Sequence, residues 1–326
     1  MSGIASVKGK IVKEAIQRFP KFGNLTIAKS IMYNNGDVFD NNIDKIRTLV
    51  RYYRGSNGET GAAYRVDGKS TTPIAMPETW RIERVPYRLS AGLWLILADM
   101  HVPFHEPKPI ESAIAYGQKN KVTGILLLGD FQDCASISFW PQTRRRDYEK
   151  EQAVCIDFLD FLRYEFPKAK MVYKKGNHEY RLPAIFYRNV PELAGTPLAA
   201  TEEIMDLEGR GIEEVDHATI VMGGKLPIIH GHEIKISTSV NPARGLFLKT
   251  STYGACGHFH QTSLHPGKNL FGDLLTTHSF GCLSDLHPSY NPWGNSWNWG
   301  TALLNVEKNG NFELENRRIL PSGKIV

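Results

Sequence analysis

The sequence has few cysteines and no long apolar run, and each shortage excludes a class of protein. Its four cysteines, at positions 134, 155, 256 and 282, form no Cys-x-x-Cys pair, which disfavours a disulfide scaffold and favours reduced thiols. No segment approaches the roughly 18 consecutive apolar residues that a membrane span needs. Residues 1–10 lack the apolar centre of a signal peptide. We therefore expect a cytoplasmic globular protein with no membrane partner.

Acidic residues are also scarce in the first quarter of the chain. Residues 1–90 contain 15 Lys and Arg against eight Asp and Glu, whereas the remainder contains 24 against 26. The net charge of +5 over 326 residues therefore comes from the amino-terminal segment. A local cationic excess favours an anionic partner for that segment.

Residues 1–55 are predicted to form a small helical, basic domain. Three segments have apolar residues at helical spacing and end at Pro, Gly or Asn-Gly signals: 11–19, 25–33 and 41–54. In the third segment Arg47, Arg51 and Arg54 fall on one face. Three short helices with tight turns resemble a helix-turn-helix module. We expect these arginines to contact nucleic-acid phosphates, with a solvated helix face as the alternative.

A connector is predicted to separate this module from a larger domain. Residues 56–89 have little helical signal and are rich in Gly, Ser, Thr and Pro over their first half, as linkers often are. The larger domain is predicted to span residues 90–326.

Buried strands alternate with helices from residue 90 onward. Mostly apolar runs at 93–98, 124–129 and 169–173 predict strands covered on both faces. Helices are predicted between them, at 109–120 and 148–166, which gives a βαβαβ unit with parallel pairing. Further strands, the last two completing a second sheet, are predicted at 218–222, 226–229, 252–256, 272–280 and 301–306.

Five motifs of metal-binding residues follow predicted strands. They are Asp99-Met-His101, Gly129-Asp130, Gly176-Asn177-His178-Glu179, His230-Gly-His232 and Gly257-His258-Phe-His260. Ligands of open α/β sheets bind at the carboxyl ends of the strands. Mixed imidazole, carboxylate and amide donors suit transition-metal dications. The pattern therefore predicts a metal site at one edge of the fold.

In this order, the five motifs resemble the signature of the calcineurin-like metallophosphoesterase superfamily over residues 90–305. The resemblance implies a two-sheet α/β/β/α sandwich, here preceded by the small helical domain. It implies two divalent ions, Mn favoured over Fe, Zn, Co or Mg, with Asp130 bridging them. The other ligands it implies are Asp99, His101 and His260 for one ion, and Asn177, His230 and His258 for the other. His232 is the alternative to His230, which we favour because the family ligand commonly precedes a glycine.

The same resemblance implies a mechanism. Paired divalent ions neutralise phosphoryl oxygens and acidify water, so the expected nucleophile is a metal-bridging hydroxide. His178 matches the residue that protonates the leaving group, and Asp133 matches the residue that orients this histidine. General acid catalysis of this kind contributes roughly 10²–10⁴ in rate.

Other residues are candidates for substrate contact. Arg181 is placed to clamp a phosphate or to form a surface ion pair, and His105 to contact substrate or to serve the fold. Arg144, Arg145 and Arg146 are placed to contact a phosphate backbone or to be a solvated charge run. Three tryptophans within 293–299 favour core packing, with base stacking as the alternative.

The leading hypothesis is a nuclease or phosphodiesterase acting on nucleic acid. One alternative is a phosphomonoesterase acting on a small molecule or phosphoprotein, because one fold hosts many substrates. The other is a DNA-binding regulator with an inactive phosphoesterase domain, and the intact ligand set argues against it.

Overall fold

The chain divides into two units, residues 1–82 and 83–326. The computed structural model describes residues 7–55, 78–139, 147–236 and 240–326. Arg144, Arg145 and Arg146 lie outside the described residues. Within the described ranges, no helix combines the length and the apolar character that crossing a membrane requires.

The first unit is built from three helices, as predicted. These are α1 (Val7–Arg18), α2 (Asn24–Asn35) and α3 (Ile43–Arg54). Their apolar faces share a core that includes Val12, Ile27, Phe39 and Val50. The Asn42 side chain begins α3 by accepting hydrogen bonds from the backbone N–H groups of the first turn. A helical amino-terminal region is thus present, and its helix-turn-helix character stays a prediction.

The second unit contains two six-stranded sheets. Its strands are β1 (Tyr87–Arg88), β2 (Gly92–Leu97), β3 (Gly124–Leu128), β4 (Lys170–Lys174), β5 (Ile212–Val215), β6 (Val221–Gly223), β7 (Leu226–Ile229), β8 (Gly254–Cys256), β9 (Ser263–Lys268), β10 (Leu274–Ser279), β11 (Gly300–Val306) and β12 (Phe312–Arg318). The first sheet has the order β12-β11-β2-β3-β4-β5, and the second has the order β1-β6-β7-β8-β10-β9.

Helices cover the outer faces of the two sheets. They are α4 (Pro107–Lys119), α5 (Tyr148–Glu165), α6 (Arg181–Asn189), α7 (Thr201–Ile204) and α8 (Pro242–Thr250). Leu95 and Leu97 of β2 pack in the core that contains residues of α4 and α5. Trp94 and Ile96 of the same strand pack in the core between the sheets. Because β2 and β3 are buried on both faces, their sequences are continuously apolar, and the α/β sandwich is confirmed.

Sheet membership differs from the prediction at one strand. The segment 301–306, expected in the second sheet, forms β11, which pairs antiparallel with β2 in the first sheet. The apolar pattern predicts a buried strand but carries no information on its partner. The strands β5, β9 and β12 were not predicted, since charged or turn-forming residues interrupt each of them, as in Phe312–Arg318.

The predicted connector also ends earlier than expected. Tyr87 and Arg88 form β1, which pairs in parallel with β6, and the second unit begins at Glu83. Two residues are too short for any periodicity, so the pattern at 56–89 gave no strand signal.

Candidate metal centre

The five motifs meet at one edge of the sandwich. The strands β2, β3 and β4 are parallel, and so are β7 and β8, so within each set the carboxyl ends point the same way. Ligand atoms within 4.8 Å of one another form three groups: Asp99, His101 and His260; His101, Asp130 and His178; Asp130, His230 and His258. Residues from distant parts of the chain therefore share one cluster.

Tight backbone turns bring these side chains inward. Asp99, His101, Asp130, His258 and His260 all have positive φ values between 47° and 67°, a region that side chains other than Gly, Asn and Asp rarely adopt. Such strain persists where the surrounding structure holds it, and it clusters at functional sites.

Two glycines are required by close approach. A Cβ on Gly129 would lie 2.2 Å from His230 Nδ1, and one on Gly176 would lie 2.2 Å from Asp130 Oδ1. A side chain at either position would therefore displace a predicted ligand, which explains why glycine stands in both motifs.

Asp130 lies between the histidine groups. Its Oδ2 is 3.1 Å from His230 Nε2, 3.8 Å from His178 Nε2 and 4.0 Å from His101 Nε2. Its Oδ1 accepts a hydrogen bond of 2.9 Å from the His178 backbone N–H. Burial raises the pKa of Asp130, but the surrounding histidines outweigh burial and hold this pKa well below its usual range. An ionised carboxylate in this position can serve cations on both sides.

Two histidines have one nitrogen committed to an acceptor and the other turned inward. His230 Nδ1 is 3.0 Å from the Leu128 carbonyl oxygen, which accepts its hydrogen. His101 Nδ1 is 3.0 Å from Asp133 Oδ1. In a neutral ring the Nε2 atom of each is then an acceptor, and such outer hydrogen bonds orient metal-binding histidines.

This arrangement places acceptor atoms side by side, and a cation between them would offset their repulsion. His230 Nε2 faces Asp130 Oδ2 at 3.1 Å. Burial tends to lower the pKa of His230, but Asp130 and Asp99 outweigh burial and raise it to about 10. A proton and a metal ion compete for such a nitrogen, because metal ligands must be deprotonated.

Two buried polar atoms support the fit to metal ions. Within the described residues, His230 Nε2 and Asn177 Oδ1 have no hydrogen-bond partner. Buried polar groups are nearly always satisfied, so these atoms call for an explanation. Both lie on residues predicted to bind the second ion. The donor set of imidazole, carboxylate and amide atoms therefore fits two divalent ions.

Asp133 holds two histidines rather than one. Its Oδ1 is 3.0 Å from His101 Nδ1 and 3.1 Å from His178 Nδ1, and its backbone carbonyl is 2.7 Å from His178 Nδ1. Burial raises the pKa of Asp133, and the two histidines outweigh burial and lower it. The predicted orienting role therefore extends to the predicted ligand His101.

Arg181 is built into the same network. Its guanidinium donates to the Asp133 carbonyl at 2.9 Å and lies 3.0 Å from His178 Nε2. Arg181 therefore makes an internal contact rather than the alternative surface ion pair, and its predicted contact with phosphate stays a prediction.

His230 and His232 take different positions. His230 is fully buried beside Asp130, whereas the His232 ring stacks at 5.9 Å on His217. His217 in turn stacks on Tyr180 beside a cavity of about 470 Å³. Burial, the largest effect, lowers the pKa of His232 to about 4. Of the two candidates, His230 is the one in the cluster.

Two buried carboxylates near the site were not predicted. Glu179 accepts hydrogen bonds from the backbone N–H groups of Asp130, Gln132 and Gly176 and from the Tyr173 hydroxyl. It therefore joins the loops after β3 and β4. Glu179 is the fourth residue of the Gly-Asn-His-Glu motif, so the motif itself was the sequence signal that could have indicated this role.

The second carboxylate supports His230. Glu233 accepts from the backbone N–H groups of His230 and Gly231. It also pairs at 3.0 Å with the fully buried Lys174. Because Lys174 ends β4 and Glu233 follows β7, this pair connects the two sheets beneath the cluster.

The remaining predicted contacts lie elsewhere. His105 packs edge-on against Phe158, which favours the structural alternative. In the first unit, the Arg54 guanidinium donates to the Phe22 and Pro20 carbonyls and to Asn24. Of the three arginines predicted to contact phosphates, Arg54 is therefore committed to the fold, Arg51 is exposed and Arg47 is half-buried.

Comparison with known proteins gives similar solved structures at low sequence identity. Vacuolar Protein Sorting 29 from Cryptosporidium parvum is 16% identical with a TM-score of 0.38, covering 73% of this chain and 96% of that one. The phosphoesterase YfcE from E. coli is 12% identical with a TM-score of 0.32, covering 68% and 98%. A dimetal phosphatase from Danio rerio is 10% identical with a TM-score of 0.36, covering 69% and 95%.

No protein-family model and no curated protein matches the chain. The TM-scores are low, so the interpretation of the site rests on the motifs and their geometry. The two-sheet α/β sandwich is the fold that the resemblance implies, and residues from all five motifs converge on one cluster.

Proposed function

We propose that this chain is a dinuclear metal-dependent phosphoesterase and that its substrate is a nucleic-acid phosphodiester. The observation that carries the first part is the position of Asp130, whose carboxylate lies between His230 on one side and His101 and His178 on the other. When bound, two divalent cations would neutralise phosphoryl oxygens and lower the pKa of water. We favour Mn²⁺ among the metals that this donor set suits.

The chain itself supplies a proton donor. His178 donates its Nδ1 hydrogen to the Asp133 carbonyl and directs Nε2 toward the centre, 3.8 Å from Asp130 Oδ2. Burial and the neighbouring Arg181 guanidinium tend to lower the pKa of His178, and Asp130 and Asp133 outweigh them and raise it. Because Arg181 lies 3.0 Å from the same Nε2 atom, His178 would exchange this contact for the substrate before its charged imidazole protonates the leaving oxygen.

The nucleic-acid part of the proposal rests on the charge of the first unit. Residues 7–55 carry ten Lys and Arg against four Asp and Glu. Lys8 and Lys45 pair with Asp40, and Arg54 serves the fold. Exposed cations are still distributed over the helices and loops of the unit: Lys10, Arg18, Lys21, Lys29 and Arg51. A surface of this kind favours phosphate contacts.

A substrate panel tests the activity. We expect Mn²⁺-dependent hydrolysis of bis(4-nitrophenyl) phosphate and of DNA, abolished by chelator and by Asp130→Asn, which also controls for contaminating enzymes. Hydrolysis of 4-nitrophenyl phosphate alone would indicate the phosphomonoesterase alternative. If purified protein loaded with metal cleaves none of these esters, the proposal is wrong.

A charge-matched pair of variants tests the substrate. Arg18→Gln, Lys21→Gln and Arg51→Gln together remove three exposed charges from the first unit, and Lys119→Gln, Lys121→Gln and Lys168→Gln remove three from the second. We expect the first triple to weaken DNA binding and to reduce the salt slope by about one per lost phosphate contact. Equal effects of the two triples would contradict a role for the first unit.

A further inference from the structure

Three aromatic side chains lie on the long segment between β10 and β11. We call Tyr290, Trp293 and Trp297 the aromatic rim. Tyr290 is 70% exposed and Trp293 is 83% exposed, while Trp297 is half-buried. Single exposed rings are common on protein surfaces, but three in one short segment form a patch that calls for a function.

Hydrogen bonds hold the segment that carries the rim. The Asn295 side chain donates to the Leu286 and Asn291 carbonyls and accepts from the Trp297 backbone N–H. The His287 ring lies 3.1 Å from the Pro292 carbonyl oxygen. An ordered segment therefore presents these rings to solvent, and little conformational entropy would be lost when a ligand binds them.

The rim adjoins the metal centre. The Trp297 ring centroid lies 4.3 Å from that of His260, and the neighbouring Asn298 backbone N–H donates to the His260 carbonyl at 2.8 Å. The Tyr290 ring lies 6.4 Å from the Trp297 ring. The exposed rings therefore begin about one ring away from a predicted metal ligand.

We propose that the aromatic rim stacks a nucleobase adjacent to the phosphate held at the metal centre. This inference rests on the proposed function and specifies how that site would select its substrate. A phosphoryl group at the cluster leaves its esterified nucleoside beside Trp297 and the exposed Tyr290, and Trp293 is exposed on the same segment. Every base has a π-face, so stacking on such rings gives affinity without sequence preference.

The test compares two inhibitors that differ in the base. Thymidine 5′-monophosphate and ribose 5-phosphate both carry a phosphate on a pentose, and each is titrated against Mn²⁺-dependent hydrolysis of bis(4-nitrophenyl) phosphate. For the native protein we expect the inhibition constant of the nucleotide to be lower by about tenfold or more. In Tyr290→Ala/Trp293→Ala the two inhibition constants should converge, mainly because the constant of the nucleotide rises.

Two control variants make the comparison specific. Tyr290→Phe keeps the ring and should keep the preference for the nucleotide. Tyr164→Ala removes a tyrosine that is 81% exposed at the end of α5 and should behave like the native protein. If the native protein binds both inhibitors equally, or if the double variant retains the preference, the rim does not stack a base.

Failure of this inference is distinguishable from failure of the proposed function. If the protein hydrolyses the ester but shows no preference for the nucleotide, the stacking proposal is wrong and the proposed phosphoesterase function stands. If no ester is hydrolysed, the proposed function is wrong. The stacking proposal is then tested separately, by following the binding of the same two inhibitors through tryptophan fluorescence. Quenching by the nucleotide that is weakened about tenfold in Tyr290→Phe would contradict the stacking account, because this variant keeps the aromatic ring at position 290 and the Trp293 fluorophore.

Discussion

The buried Lys174–Glu233 pair offers a quantitative test of how the two sheets support the metal centre. Lys174 Nζ lies 3.0 Å from Glu233 Oε1 and donates to the carbonyls of Lys175, Asp216 and His217. Lys174→Met keeps much of the side-chain length but leaves the carboxylate and the three carbonyls without their donor.

The expected loss follows from the burial of both partners. Removing one member of a buried ion pair costs about 3–5 kcal/mol, because the other charge stays buried without compensation. The Lys174 side chain is fully buried, but Glu233 is 14% exposed, so water screens part of the remaining charge. We therefore expect about 3 kcal/mol, which corresponds to a fall in Tm of roughly 10 °C for a domain of this size.

Thermal unfolding followed by circular dichroism measures this effect. The double variant Lys174→Met/Glu233→Gln should regain part of the loss, since it removes the uncompensated charge but leaves the three carbonyls without a donor and one backbone N–H without an acceptor. Lys249→Met, at an exposed position on α8, is the matched control and should change stability by less than about 0.5 kcal/mol. The reasoning is refuted if Lys174→Met melts with the control, or if the double variant is less stable than the single one.

Three further predictions concern the centre itself. His178→Ala should retain both metals by elemental analysis and lose roughly 10²–10⁴ in kcat; loss of metal would assign His178 to a ligand role instead. Asp130→Asn should lose metal at both positions, because its carboxylate lies between the two groups, and two retained equivalents would contradict a bridging role. Glu179→Gln should cost about 3 kcal/mol in urea unfolding, since one acceptor oxygen cannot satisfy the four donors around it; the control Tyr173→Phe removes one of those donors and should cost about 1 kcal/mol.

Much of the fold was predictable because burial on both faces leaves a clear pattern. The apolar run at Ile125–Leu128 marks β3 within one residue of its end, and the same holds for β2 and β4. Strand partnership was less accessible, because β11 and β10 are both apolar and only long-range pairing assigns them to different sheets. The strand β12 was missed since its exposed face is charged.

For the site residues too, local sequence patterns were predictive and long-range contacts were not accessible from the sequence. The sequence by itself determined which residues end the parallel strands, and thus that Asp99, Asp130 and His258 would share one edge. Tertiary structure alone decided that His230 rather than His232 faces Asp130, because both follow the same strand and only packing against β3 buries one of them. It also turned Arg181 inward onto His178 and joined Lys174 to Glu233. These contacts connect residues that no local pattern relates, since they depend on how two sheets meet.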